Sequence, residues 1–273
     1  MTRSARARVA AIALVLAVGV GTTAAGCAGS KDDGGAATGT TAPSGERKLT
    51  EEQRVQFSQI LVKNHDAKGA TIDVTLQPTG ATMRVEIDWD TGLAHGTIDN
   101  DGQKTEIYWS TDELLDGTVE GLTAELDKAG EPGVRFVSRP LDPTYSQLDS
   151  LASLLNALSA TQRENPVALQ DQDIAYLGAR EVDGRSVDVY RFGKRVTYLV
   201  DPATGEMVGI DATFASFPGT AEIRVRERGP QTVRGPKTAE VVDGAAIADL
   251  YQRLVGKPLP SGALPGTSTT IAP

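Results

Sequence analysis

Cysteine is all but absent. One residue, Cys27, stands in a chain of 273, so no internal disulfide can form and the folded part must hold through its core alone. Histidine is nearly as scarce. His65 and His95 are the only two, and neither has a partner at ligand spacing, which points to structural roles and away from a metal centre. No Gly-x-Ser-x-Gly elbow, phosphate-cradling loop or dinucleotide fingerprint occurs, so nucleophilic and nucleotide chemistry have no visible seat. The run Asp99-Asn100-Asp101-Gly102 suggests a calcium loop at first sight. With Asp99 and Asp101 as its third and fifth ligands, however, the first would be Thr97 and the twelfth Tyr108, and neither is a carboxylate. It reads instead as a hairpin turn. No enzymatic activity, cofactor or metal is expected from these residues.

Basic side chains are also in deficit, with 27 Lys and Arg against 36 Asp and Glu. Three of the cations, Arg3, Arg6 and Arg8, precede an uncharged stretch from Val9 to Val20. That order is the layout of a secretory signal. The stretch is about a dozen residues long, short of the roughly 20 that a permanent membrane span requires. It ends in Thr23-Ala24-Ala25-Gly26-Cys27, which resembles the lipobox of bacterial lipoproteins. There the cysteine takes a diacylglycerol and a signal peptidase cuts before it; Ala24 departs from the leucine usual at that position. Cleavage at Thr23-Ala24-Ala25 as an ordinary secretory site is the alternative, but it would leave one free thiol outside the cell. Lipidation of Cys27 accounts for its solitude. Removing residues 1–26 takes away the three arginines and no acid, leaving 24 basic against 36 acidic side chains, a net of −12. Such a chain is a poor partner for nucleic acid and a poor electrostatic adsorbate for anionic membranes. Attachment through an acyl chain is unaffected by that sign.

Residues 27–48 are Gly, Ala, Thr, Ser and Asp with scarcely any large apolar side chain, and the expectation is a flexible tether with a reach of about 25 Å. Residues 257–273 are again Pro, Gly, Ser and Thr and read as a disordered tail. One folded domain is expected between them, over 49–256.

Within that domain Leu49 to Asn64 predicts one helix, capped by Thr50. The period then drops to two. Ile72, Val74 and Leu76 alternate with polar residues, Pro78-Thr79-Gly80 turns the chain, and Met83, Val85, Ile87 and Trp89 alternate in their turn, as in a half-buried antiparallel hairpin. Two more strands end at Ile107-Tyr108-Trp109. The middle, Thr111 to Asp173, predicts a helical insert: a short helix or loop near Leu114 to Leu126, one strand at Val134 to Ser138, and a strongly amphipathic helix over Leu141 to Leu158, striped by Tyr145, Leu148, Leu151, Leu154, Leu155 and Leu158. Asn165-Pro166 opens one further helical turn. Alternation resumes from Ile174 to Val225 around the Asp183-Gly184 hairpin turn. A closing helix spans Ala245 to Val255. Arg224, Arg226 and Arg228 fall on one strand face, where acids of neighbouring strands are their expected partners. The fold class is α+β, a large curved antiparallel sheet of eight to ten strands, a half-barrel with helices on its apolar concave face.

This organisation, with the run Glu181-Val182-Asp183-Gly184-Arg185-Ser186-Val187-Asp188-Val189-Tyr190 and Tyr198-Leu199-Val200-Asp201-Pro202, resembles the LolA/LolB-like superfamily, and within it the LppX/LprG-type lipid-binding lipoproteins. The resemblance covers most of Leu49 to Arg228 and implies a cavity with no catalytic residue. A lipid or other acyl ligand would then lie against Ile72, Val74, Leu76, Val85, Ile87, Trp89, Leu148, Leu151, Leu155 and Leu158. The alternative is an envelope protein-protein interaction or sensor module whose cavity is collapsed. The expected setting is a monomer on the extracytoplasmic face of the cell membrane, held by the lipid on Cys27, with an unidentified protein partner.

Overall fold

The computed structural model describes residues 45–117, 121–215 and 217–260. Cys27, the signal, the tether up to residue 44 and the tail from residue 261 lie outside the described residues.

The chain enters through a capping box at Thr50, whose hydroxyl accepts from the Gln53 amide while the Gln53 side chain accepts from the Thr50 amide. Helix α1 runs Glu51–Phe57 and α2 runs Ile60–Asp66. The single helix expected over Leu49 to Asn64 is therefore broken at Ser58-Gln59. The Ser58 hydroxyl donates back to the Val55 carbonyl at 2.7 Å, a local bond that competes with helix propagation. The break brings Phe57, Ile60 and Asn64 all to buried positions.

Two antiparallel meanders follow as expected. The first is β1 (Gly69–Gln77), β2 (Thr82–Asp88), β3 (Leu93–Asn100) and β4 (Gln103–Trp109). The second is β7 (Ile174–Val182), β8 (Arg185–Phe192), β9 (Val196–Val200), β10 (Met207–Thr213) and β11 (Thr220–Arg228). Pairing of β1 with β11 joins them into one sheet.

The insert between them is less helical than its sequence suggests. Two strands, β5 (Glu113–Asp116) and β6 (Phe136–Pro140), extend the sheet beyond β4, flanking α3 (Leu122–Lys128); after them come α4 (Gln147–Asn156) and a 3₁₀ turn at Ala168–Gln170. Leu114, Leu115 and Asp116 are all buried, and so are Phe136 through Arg139. A strand covered on both faces shows no two-residue alternation, which is why β5 had no signal. Near the C-terminus, β12 (Val241–Asp243) pairs parallel with β6, and α5 (Ala248–Val255) closes the described elements.

The result is α+β: a 12-stranded, curved, unclosed sheet in the order β12-β6-β5-β4-β3-β2-β1-β11-β10-β9-β8-β7, antiparallel except at β12–β6. Its concave face packs on α1, α2 and α4 in one core cluster, while α3 and α5 share a second cluster against β6. No described helix is long and apolar enough to cross a membrane. The ends of the domain reach past their expected limits. Arg47 exchanges backbone hydrogen bonds with Tyr176 of β7, and Lys257 lies over the Tyr145 ring at 3.8 Å.

Candidate functional site: a filled half-barrel and its buried ion pair

All the residues nominated for an acyl cavity converge on the concave face in the main core cluster. They pack there against each other. Ile72, Val85, Ile87, Leu151 and Leu155 are 0% exposed, Val74 and Leu158 1% and Trp89 8%, while Leu76 and Leu148 are partly buried. The zeros decide something physical. A void wide enough for an acyl chain would leave its lining atoms open to a water-sized sphere, and at the five fully buried residues none is open. At Gly96, on the same face, an added Cβ would stand 3.0 Å from Met83 Sδ and 3.1 and 3.2 Å from carbons of Ile107 and Trp109. At the β8–β9 end, Phe57 lies 5.6 Å from the Tyr190 ring and 5.3 Å from that of Tyr198. Burial, with the nearby charge of Glu164, pushes the Tyr198 phenol up to about 12.

Polar clamps hold the helices onto this core. Asn64 is fully buried and joins three elements: its Nδ2 donates to the Leu158 carbonyl at 2.6 Å, and its Oδ1 accepts from Arg228 at 2.6 Å. Arg228 reaches it because of a bulge. Ile72 pairs with Val225 and Thr71 with Glu227, leaving Arg226 as the extra residue, so Arg228 turns to the concave side, opposite Ala70. The expectation that Arg224, Arg226 and Arg228 share one face is thus corrected. Burial lowers the Arg228 pKa.

The strongest clamp was invisible beforehand. Arg139 on β6 forms a bidentate pair with Asp149 on α4, at 2.6 and 3.0 Å, with exposures of 2% and 0%. Asp149 also accepts from the Asp142 amide at 3.2 Å and from the Ser146 hydroxyl, the cap of α4. On the other side Arg139 stands 3.7 Å from Asp116, which accepts from the Tyr251 hydroxyl of α5 at 3.2 Å. Burial works against the guanidinium charge, but the Asp149 hydrogen bonds and charge, with Asp116, outweigh it and leave the pKa raised. The Tyr251 phenol is driven up, first by burial and then by Asp116. A chain of contacts therefore runs from α4 through β6 and β5 to α5.

On the convex face, the tip of the β7–β8 hairpin reaches Arg226, which pairs with Asp183 at 2.8 Å and Asp73 at 2.7 Å. Asp211 takes Arg180 at 2.5 Å and Arg224 at 2.8 Å. The cleft enclosed there, about 490 Å³, is lined by these groups with Glu181 and Glu222. Its cations are all committed to acids, as expected for Arg224 and Arg226, so it offers little to an anionic ligand.

Comparison with known proteins finds no matching family model and no matching curated protein. Solved structures with similarity to this chain include an uncharacterized conserved protein from Thermus thermophilus, at 11% identity over 70% of this chain and 98% of that one, with a TM-score of 0.39. MucB is similar at 14% identity over 70% of this chain and 61% of its own, TM-score 0.31. MucB in complex with MucA(peri) gives 13% identity, 77% and 63% coverage and a TM-score of 0.31. Nothing about the function of this chain follows from likenesses of that size.

The remaining sequence candidates behave as ordinary structure. His95 stacks on Tyr108 at 4.5 Å, and Asp99 accepts from the Gly102 amide within the β3–β4 turn. Among the described residues no group of three or more metal-binding side chains occurs.

Proposed function

We propose that this chain is a non-catalytic, extracytoplasmic recognition module, tethered by a lipid on Cys27, that engages a protein partner with its outer surface. The observation that carries this reading is the filled concave face. Side chains of α1, α2 and α4 occupy the space that a carrier would reserve for cargo. Sequence features support the rest: the signal and lipobox-like end suit a domain held outside the membrane, and no nucleophile-elbow, phosphate-loop or dinucleotide motif speaks for catalysis. The kinship with LolA/LolB-like proteins stands within this proposal as a shared architecture whose chamber has collapsed. Photo-crosslinking residues placed in living cells at Arg84 and Glu86, exposed on the outer side of β2, test it. A discrete protein adduct is expected. No adduct, together with stoichiometric lipid that the purified protein loses in Leu151→Trp, would favour carriage.

A further inference from the structure

A pocket of about 270 Å³ opens where the tether meets the domain. Its floor is Leu49, Leu169 and Ile174, all members of the main core cluster and all slightly exposed, at 7%, 3% and 7%. Its rim is Lys48, Arg54, Gln170 and Gln172. No acid lines it. That is unusual in a chain of net charge −9, and the convex cleft and the α3–α5 groove both carry carboxylates among their cations. Among the described residues neither Lys48 nor Arg54 forms a salt bridge; Arg54 donates to the Leu49 carbonyl at 3.0 Å, which holds its guanidinium at the pocket. The four cation and amide side chains together present only N–H donors and two amide oxygens, a set suited to a phosphate.

Two further observations give the pocket an orientation. Exposed large apolar residues are few, and three of them, Val55, Val167 and Leu177 at 39%, 66% and 37%, lie on α1, just ahead of the 3₁₀ turn, and on β7, the same segments that build the pocket. Exposed apolar side chains on the segments that supply the cations and amides suit a surface that rests in a headgroup layer. Lys48 also stands 21 positions after Cys27, so a lipid there would hold the pocket to the bilayer by no more than about 75 Å of chain.

We propose that Lys48, Arg54, Gln170 and Gln172 bind the phosphate of an anionic membrane phospholipid, with the upper acyl carbons against Leu49, Leu169 and Ile174, and that this contact sets which end of the domain faces the membrane. The overall acidity of the chain opposes adsorption anywhere else and so sharpens the orientation. Only the argument from reach rests on acylation of Cys27.

The test is a titration of the mature, full-length protein in nonionic detergent with dihexanoyl phosphatidylglycerol, dihexanoyl phosphatidylcholine and inorganic phosphate, read by amide hydrogen exchange over residues 48–54 and 168–174. Phosphatidylglycerol is expected to slow exchange in both segments saturably, and Lys48→Ala/Arg54→Gln to weaken it roughly thirtyfold, at about a factor of five for each cation. Because Arg54 also supports Leu49, the single variant Lys48→Ala is measured alongside, with a roughly fivefold loss expected. Equal saturation by phosphatidylcholine would show that headgroup charge is not read, and equal saturation by inorganic phosphate would show a free-anion site. Either result overturns the proposal, as does unchanged binding in both variants. The short-chain lipids need no bilayer, so a failure of anchoring, seen as protein shed from membranes, is told apart from a failure of the pocket.

Discussion

Asp149 has no exposed surface; its bidentate pair with Arg139 fixes the start of α4 to the sheet, and its bonds with Asp142 and Ser146 hold the turn that leads into the helix. Removing it strands a buried guanidinium. Asp149→Ala is expected to cost about 3–5 kcal/mol, whereas the paired replacement Arg139→Met/Asp149→Leu should recover most of that, because a packed apolar pair replaces a buried ionic one at little net cost. Urea unfolding measures both, and a single-variant loss within about 0.5 kcal/mol would contradict the clamp. Nothing in the sequence announced this pair. Arg139 is a lone cation in a short strand and Asp149 an acid in the first turn of a helix, and both usually face water. Only the apolar stripe of a helix over Leu141 to Leu158 was readable; it did not mark the start at Ser146 or the burial of the acid three residues on.

Tyr198 gives a pH dependence at the same scale. Its folded pKa, pushed up to about 12 by burial, lies above the unfolded value near 10. Stability from this group is therefore fully present below pH 10 and is lost as the pH rises toward 12. Burial raises Tyr190 as well, with the same sign. Tyr198→Phe removes one of the ionisations, and the alkaline unfolding midpoint, followed by circular dichroism, should move to higher pH. A midpoint that stays put or falls would mean that this phenol is not the buried group described.

Among the elements, the strand interface at Gly96 reports most directly on packing. In register it faces Val85 on β2 and Ile107 on β4, and its missing side chain is what lets Met83, Ile107 and Trp109 each close in over it. Gly96→Val is expected to destabilise by about 1–3 kcal/mol through overpacking. Thermal unfolding would show it, and a neutral or stabilising result would reveal room that the structure does not contain. The meanders were legible because each strand keeps one face in the core and one in water, as Thr82, Arg84 and Glu86 alternate with Met83, Val85 and Ile87 on β2. The inner strand β5 was not, since both of its faces are covered and alternation vanishes, whereas β6, expected over Val134 to Ser138, lies two residues further on, at Phe136–Pro140. The division of the first helix turned on one hydroxyl, that of Ser58, whose hydrogen bond depends on backbone geometry and leaves no periodic trace.

For the whole molecule, periodicity and turn chemistry sufficed for the α+β half-barrel, while the state of its interior is a matter of volume, which the pattern of apolar residues cannot report. A lining residue and a packing residue have the same hydrophobicity. Leu151 and Leu155 on α4, and Ile72 and Val85 across from them, would look alike in a carrier and in a closed module. Their lack of any exposed surface is what the closed reading requires. The position of the polar clamps agrees, since Asn64 and Asp149 fasten α2 and α4 at buried points and a helix so fastened does not part readily from its sheet. The measurement that goes straight to this point is native mass spectrometry of the full-length protein extracted from membranes of a lipid-rich host, beside Leu151→Trp. A closed interior predicts the mass of the Cys27-acylated chain with no retained lipid beyond one that Lys48→Ala/Arg54→Gln releases, and a Leu151→Trp protein that folds less stably. A stoichiometric lipid carried through purification by the wild type and absent from a well-folded Leu151→Trp would show that the half-barrel opens to hold it.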